Sequence, residues 1–116
     1  MLKYQFTFLD KFKKDYKSAK KKNIALDDDF KNFVEEFDHL KGDTVSSTNG
    51  AKKIRFAKAN EGKSGGYSVY YFFQVENKVY FLRLFAKSKQ EELSFKEKVE
   101  IAQIIKAIKA KSNQGS

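Results

Sequence analysis

The sequence has no cysteine and a single histidine. Without thiols there is no disulfide framework, no thiolate nucleophile and no cysteine-ligated zinc. One imidazole, His39, cannot build a histidine-rich metal site, and neither a metal nor a cofactor is expected. No apolar run approaches the roughly 18 residues of a membrane helix, and no signal peptide opens the chain, so a cytoplasmic location is expected. Internal repeats and linkers are also missing. A chain of 116 residues is then expected to form one domain, residues 1–111, followed by a polar tail, residues 112–116.

What the sequence has in excess is positive charge. Lysine and arginine number 24 against 15 acidic residues, a net charge of +9, and the sequence pI is about 9.6. That balance favours phosphate-rich or acidic partners.

Periodicity assigns the elements. Tyr4-Gln-Phe-Thr-Phe8 alternates and reads as a short strand. Leu9, Phe12, Tyr16 and Ala19 then make one apolar helical stripe, while Lys13, Lys14, Lys17, Lys20 and Lys21 coat the other face. After a break at residues 23–26, Asp27, Asp28 and Asp29 mark the start of a second helix, where the dipole favours carboxylates. Its stripe runs Phe30, Phe33, Val34, Phe37 and Leu40, and Gly42 suits its stop. His39 falls on this helix beside acidic residues, the setting of a structural histidine. Residues 43–51 are turn chemistry. The last helix is the best marked: Ser94-Phe-Lys-Glu97 is a capping box, followed by a wide apolar face of Val99, Ile101, Ile104, Ile105 and Ile108.

Between these helices lie three strands and a glycine loop. Lys52–Lys58 alternates, with Ile54 and Phe56 on one face and Lys53 and Arg55 on the other. Gly62-Lys-Ser-Gly-Gly66 reads as a basic loop able to approach a ligand closely. It feeds a hairpin, residues 67–75 and 78–87, around a two-residue turn at Glu76-Asn77. That turn would set Val69 opposite Leu84 and Tyr71 opposite Leu82. One face would then hold Tyr67, Val69, Tyr71, Phe73, Tyr80, Leu82 and Leu84 as core. The opposite face, with Arg55, Ser68, Tyr70, Arg83 and Lys87, would stay clear of the helices. The order β-α-α-β-β-β-α predicts an α+β domain with one mostly antiparallel sheet covered by helices.

The ordered set Gly42-Asp43, Asn49-Gly50, Lys53-Ile-Arg-Phe-Ala57, Gly62-Lys-Ser-Gly-Gly66, Tyr70-Tyr71, Ala86-Lys87 and Glu91-Glu-Leu93 resembles the toxins of the RelE superfamily, HigB branch. The resemblance implies a RelE-like, microbial RNase-like fold. It also implies a bacterial type II toxin that cleaves mRNA on the ribosome without a metal. The implied partner is a cognate HigA-like helix-turn-helix antitoxin, in a complex expected to be a heterotetramer. Family members often carry Arg where this chain has Ser68 and Tyr where it has Phe85. Arg83, on the same face as Ser68 and one cross-strand step away, is expected to supply the missing guanidinium.

In such a reaction the RNA's own 2′-hydroxyl attacks the adjacent phosphorus. The enzyme must remove that proton, stabilise the phosphorane and protonate the departing 5′-oxygen. Clustered cations serve the second step in a site that excludes water, and they depress a neighbouring lysine's pKa toward acid–base use. Lys63, Arg83 and Lys87 are the expected catalytic residues. Lys53, Arg55, Lys58, Ser64, Ser68, Tyr70 and Lys89 are the expected RNA contacts. Two other readings fit the sequence: a ParE-type gyrase inhibitor, and a non-catalytic RNA-binding module with Tyr70, Phe72 and Phe81 as stacking platforms.

Overall fold

A computed structural model describes residues 3–58 and 62–114, with side chains over residues 3–58 and 65–112. The alternating segments form five strands: β1 (Gln5–Phe8), β2 (Asp43–Thr44), β3 (Lys52–Lys58), β4 (Gly62–Gln74) and β5 (Lys78–Ala86). They make one sheet in the order β1-β5-β4-β3-β2, with β1 parallel to β5 and every other pair antiparallel. The helices are α1 (Asp10–Lys22), α2 (Leu26–Glu35) and α3 (Phe95–Gln114). This is the α+β architecture expected.

The helices lie on both sides of the sheet, which corrects the expectation of a face clear of helices. α1 and α2 bury an aromatic cluster against one face: Phe12, Phe33, Phe37, Tyr67, Val69, Tyr71 and Phe81 are at its centre. α3 covers the other face, where Ile101 and Ile105 pack with Leu93 on Tyr70, Phe72, Leu82 and Phe85. The capping box holds α3 at its start. Ser94 N–H donates to Glu97 Oε1 at 2.7 Å and Glu97 N–H donates to Ser94 Oγ at 3.1 Å.

A longer turn produces the second apolar face. Gln74 pairs with Lys78, so three residues form the turn, with Glu76 and Asn77 both at positive φ (69° and 60°). The register near the turn is therefore offset by one from the two-residue expectation, pairing Tyr71 with Phe81. A bulge between Tyr70 and Tyr71 absorbs Leu82 on β5 and restores Tyr70↔Arg83 and Val69↔Leu84. As a result Val79 and Phe81 join the α1/α2 core, while Tyr80 and Leu82 turn toward α3. The expected face assignment holds along β4 and at the far end of β5, and inverts on β5 near the turn.

Three further boundaries differ from expectation. α2 ends at Glu35 and is followed by a 3-10 turn, His39–Lys41, so Leu40 leaves the stripe and is 73% exposed. The glycine segment is strand: β4 begins at Gly62, and a Cβ on Gly66 would collide with the Phe56 carbonyl of β3. Its close approach is to the neighbouring strand at the β3 irregularity. α3 continues through Gln114, into residues assigned to the tail.

Candidate functional site

Strand pairing sets two cross-strand rows on the α3 face. One is Lys53–Tyr70–Arg83, the other Arg55–Ser68–Phe85. The rows bring four expected site residues together with Arg83, so the sequence placed them on one face correctly. What it missed is the roof over them.

Arg83 anchors that roof. Its Nε and Nη2 donate to Asp15 Oδ2 and Oδ1 at 2.7 and 3.1 Å, a bidentate pair with α1. Its Nη1 lies 3.6 Å from Glu97 Oε2 at the start of α3. Asp15 Oδ2 also accepts the Leu84 N–H at 3.0 Å, where β1 has ended and the β5 edge would otherwise be bare. The guanidinium is 16% exposed and lies over the Phe85 ring, 4.6 Å from its centroid. Burial opposes its charge most strongly, yet Asp15, Glu97 and Glu100 more than offset this and raise its pKa. Glu97 is likewise held below the usual carboxylate range. Burial, its largest influence, pushes it up, but the Ser94 amide and hydroxyl, Gln90 and Arg83 together prevail. Arg83 thus ties α1, β5 and α3 together, with hydrogen bonds to Asp15 and an ion pair to Glu97. The arginine expected to stand in at Ser68 is thus paired with Asp15 and Glu97 in this arrangement.

The segment between β5 and α3 crosses the first row. Lys53 Nζ donates to Glu91 O at 2.6 Å and lies 3.3 Å from Glu92 Oε1. Lys87 Nζ is 4.0 Å from Glu91 Oε1. Gln90 Nε2 donates to Glu92 O and to Glu97 Oε1 at 2.7 and 2.6 Å. Beneath this segment Tyr70 and Ser68 are each 1% exposed. Neither presents a surface to RNA in this arrangement. The Tyr70 hydroxyl finds no hydrogen-bond partner among the described residues, and burial, ahead of Glu92 and Glu97, pushes its pKa up to about 12. The stacking-platform reading loses its surface as well, since Tyr70, Phe72 and Phe81 are all buried.

The remaining cations divide between two depressions. Arg55 is exposed and, with Lys41, Lys53 and Lys98, lines a groove of about 850 Å³ beside the outer edge of β3. Asp43 and Glu92 are the acidic residues of that groove. Lys58 and Lys89 line a second cavity of about 330 Å³ between α1, the end of β5 and the 88–90 turn, together with Lys22 and Arg83. The side chains of Lys63 and Ser64 lie outside the described residues; their backbone belongs to β4.

Asp15 is the structurally decisive residue that sequence reading missed, and Glu97, read there as the capping-box acid, also faces Arg83. Asp15 did leave a signal, as the only acid between Lys11 and Lys22. His39 is structural: its ring stacks on Phe73 with centroids 3.6 Å apart, and its carbonyl accepts the Tyr71 hydroxyl at 2.6 Å. Among the described residues no helix is long and apolar enough to cross a membrane.

A family model described as the RelE toxin of the RelE / RelB toxin-antitoxin system matches residues 9–115. The match starts one residue before α1 and spans both helical layers, the whole β3–β5 sheet centre and the segment that crosses it.

Proposed function

The chain belongs to the RelE toxin family and is the toxin of a toxin–antitoxin system, and from that premise we propose that it is a metal-independent endoribonuclease that cleaves mRNA on the ribosome. The observation that carries this reading is the basic groove beside β3, where exposed Arg55 meets Lys41, Lys53 and Lys98. Four cations around an open cleft suit a strand of phosphates, which binds chiefly through such charges.

In the proposed reaction the substrate's 2′-hydroxyl attacks phosphorus, and Arg55, Lys87 and Lys63 stabilise the phosphorane and serve the proton transfers. Lys53, Lys58, Ser64 and Lys89 contact the flanking strand. Arg83 acts as a positioning residue, because its guanidinium is occupied by Asp15 and Glu97.

The family implies a cognate antitoxin as partner. We infer that it is a HigA-like helix-turn-helix protein and that the complex is a heterotetramer, which the mass of the co-purified pair will test.

The test of function is cleavage of a defined mRNA on programmed ribosomes, read by primer extension. Cuts inside translated codons that disappear when antitoxin is added are expected. Intact mRNA at equimolar toxin and ribosome would overturn the reading.

A further inference from the structure

Three of the chain's own carboxylates face cations of the expected site. Glu91 and Glu92 approach Lys87 and Lys53, and Glu97 approaches Arg83. All three acids belong to the short stretch that leaves β5, crosses the Lys53–Tyr70–Arg83 row and enters α3. We propose that this stretch, Lys87 to Glu97, is an autoinhibitory acidic strap that occupies the RNA face of the free toxin and is displaced by the phosphates of a single-stranded RNA. The inference rests on the nuclease reading above and adds a mode of regulation to that site.

The strap's contacts differ in strength along its length. At one end the Lys89 and Gln90 amides donate to Ala86 O and form a turn. At the other the capping box and the Arg83–Glu97 contact fix the start of α3. Between them Leu93 is buried in the α3 core and Lys53 Nζ donates to Glu91 O, while the Glu91 and Glu92 side chains are largely exposed. Pairs of that kind contribute little net stability, because water and salt compete with them. With Leu93 and the start of α3 as one anchor and the 86–90 turn as the other, the part of the strap able to lift is Glu91 and Glu92.

Beneath that weak middle lies the Tyr70 hydroxyl, buried and without a partner. A buried polar group left unsatisfied destabilises the closed arrangement relative to one in which it is hydrated or bonded to substrate. An RNA phosphate that replaces the Glu92 carboxylate at Lys53 exchanges one anion for another and exposes the row beneath.

The test compares two doubly substituted toxins that carry the same net charge. Glu91→Gln with Glu92→Gln loosens the strap's middle. Asp28→Asn with Glu35→Gln removes two exposed charges from α2, which lies on the opposite face of the sheet. Affinity for a labelled short single-stranded RNA is measured by anisotropy over a salt series. The strap variant should bind about five- to thirtyfold more tightly than wild type, the combined effect of two released ion pairs. Its log–log salt dependence should steepen by about 0.7 for each carboxylate that is no longer there to take up a cation when RNA displaces it. The α2 variant should stay within about twofold of wild type, since Lys53 and Lys87 pair with Glu92 and Glu91 of the strap and not with α2.

Equal tightening by both variants would reduce the effect to net charge and overturn the strap. Assaying the same proteins on programmed ribosomes keeps the two readings apart. If none cleaves mRNA yet the RNA affinities rank as expected, the nuclease reading falls and the strap stands. If all cleave and the affinities do not separate, the strap falls alone.

Discussion

The two faces of the sheet are built on different principles. Under α1 and α2 the filling is almost wholly aromatic. Phe81 is 0% exposed and has the rings of Phe6, Phe8, Phe12, Phe30 and Phe37 within 6.0 Å, centroid to centroid. Under α3 the packing is mixed: isoleucines meet the sheet in the middle, while ion pairs fasten the margins, Arg83 to Asp15 and Glu97, and Lys11 to Glu100. The first face depends on shape and burial and has little to offer a ligand. The second depends on charges that a polyanion can compete for, so stability and function draw on the same contacts.

The comparison can be tested first where it is most lopsided. Phe81→Ala should destabilise the fold by about 3–5 kcal/mol, the range for an aromatic truncated in a closed core, as measured by denaturant unfolding. A loss similar to that of an exposed site would mean that the aromatic face is loosely packed. Arg83→Met should destabilise by about 3 kcal/mol, since it strands two partly buried carboxylates. Adding Asp15→Asn should recover part of that loss, because an amide still accepts the Leu84 N–H without leaving an unpaired charge. Failure of the second substitution to help would place the Arg83 contribution in packing over Phe85.

Substitutions at the substrate side should separate activity from stability. Arg55→Ala and Lys87→Ala are each expected to slow single-turnover cleavage on programmed ribosomes about a hundred- to thousandfold, by analogy with loss of one oxyanion donor, with thermal midpoints essentially unchanged. Lys17→Ala on the exposed face of α1 should change association only through its salt dependence. If Lys17→Ala slows cleavage as much as Lys87→Ala does, the α1 surface belongs to the site.

The smallest expected effect is on pH dependence, and it distinguishes the faces by window. His39 has its pKa lowered from 6.5, first by burial, then by Lys52 and Lys3 against the pull of Asp38. The unfolded chain therefore binds more protons just below pH 6.5, and stability on the aromatic side should fall as pH drops from 6.5 toward the lower folded value. His39→Gln should remove that share in chemical unfolding between pH 7.5 and 5.5. Glu97 has its pKa lowered from 4.5, so its contribution is present above that value and is lost only in stronger acid. An unaltered pH profile in His39→Gln would mean that the ring ionises freely in place.

Much of this was legible in the sequence because it is local. The capping box at Ser94 and Glu97, the acidic start of α2, the stripe of Phe12, Tyr16 and Ala19 and the alternation of β3 are set by residues within a turn or two of each other, and they appear where periodicity put them. The family resemblance was equally a property of order along the chain. What only the tertiary structure decided is where those pieces meet. A turn one residue longer than expected, compensated by a bulge at Leu82, divided β5 between two cores, and no local pattern encodes that compensation. The Asp15–Arg83 pair spans 68 residues, and it determined that the arginine facing Ser68 would serve the scaffold. Periodicity says that a side chain is polar and which way it points; whether a carboxylate from another element will be waiting there depends on how the helices close over the sheet.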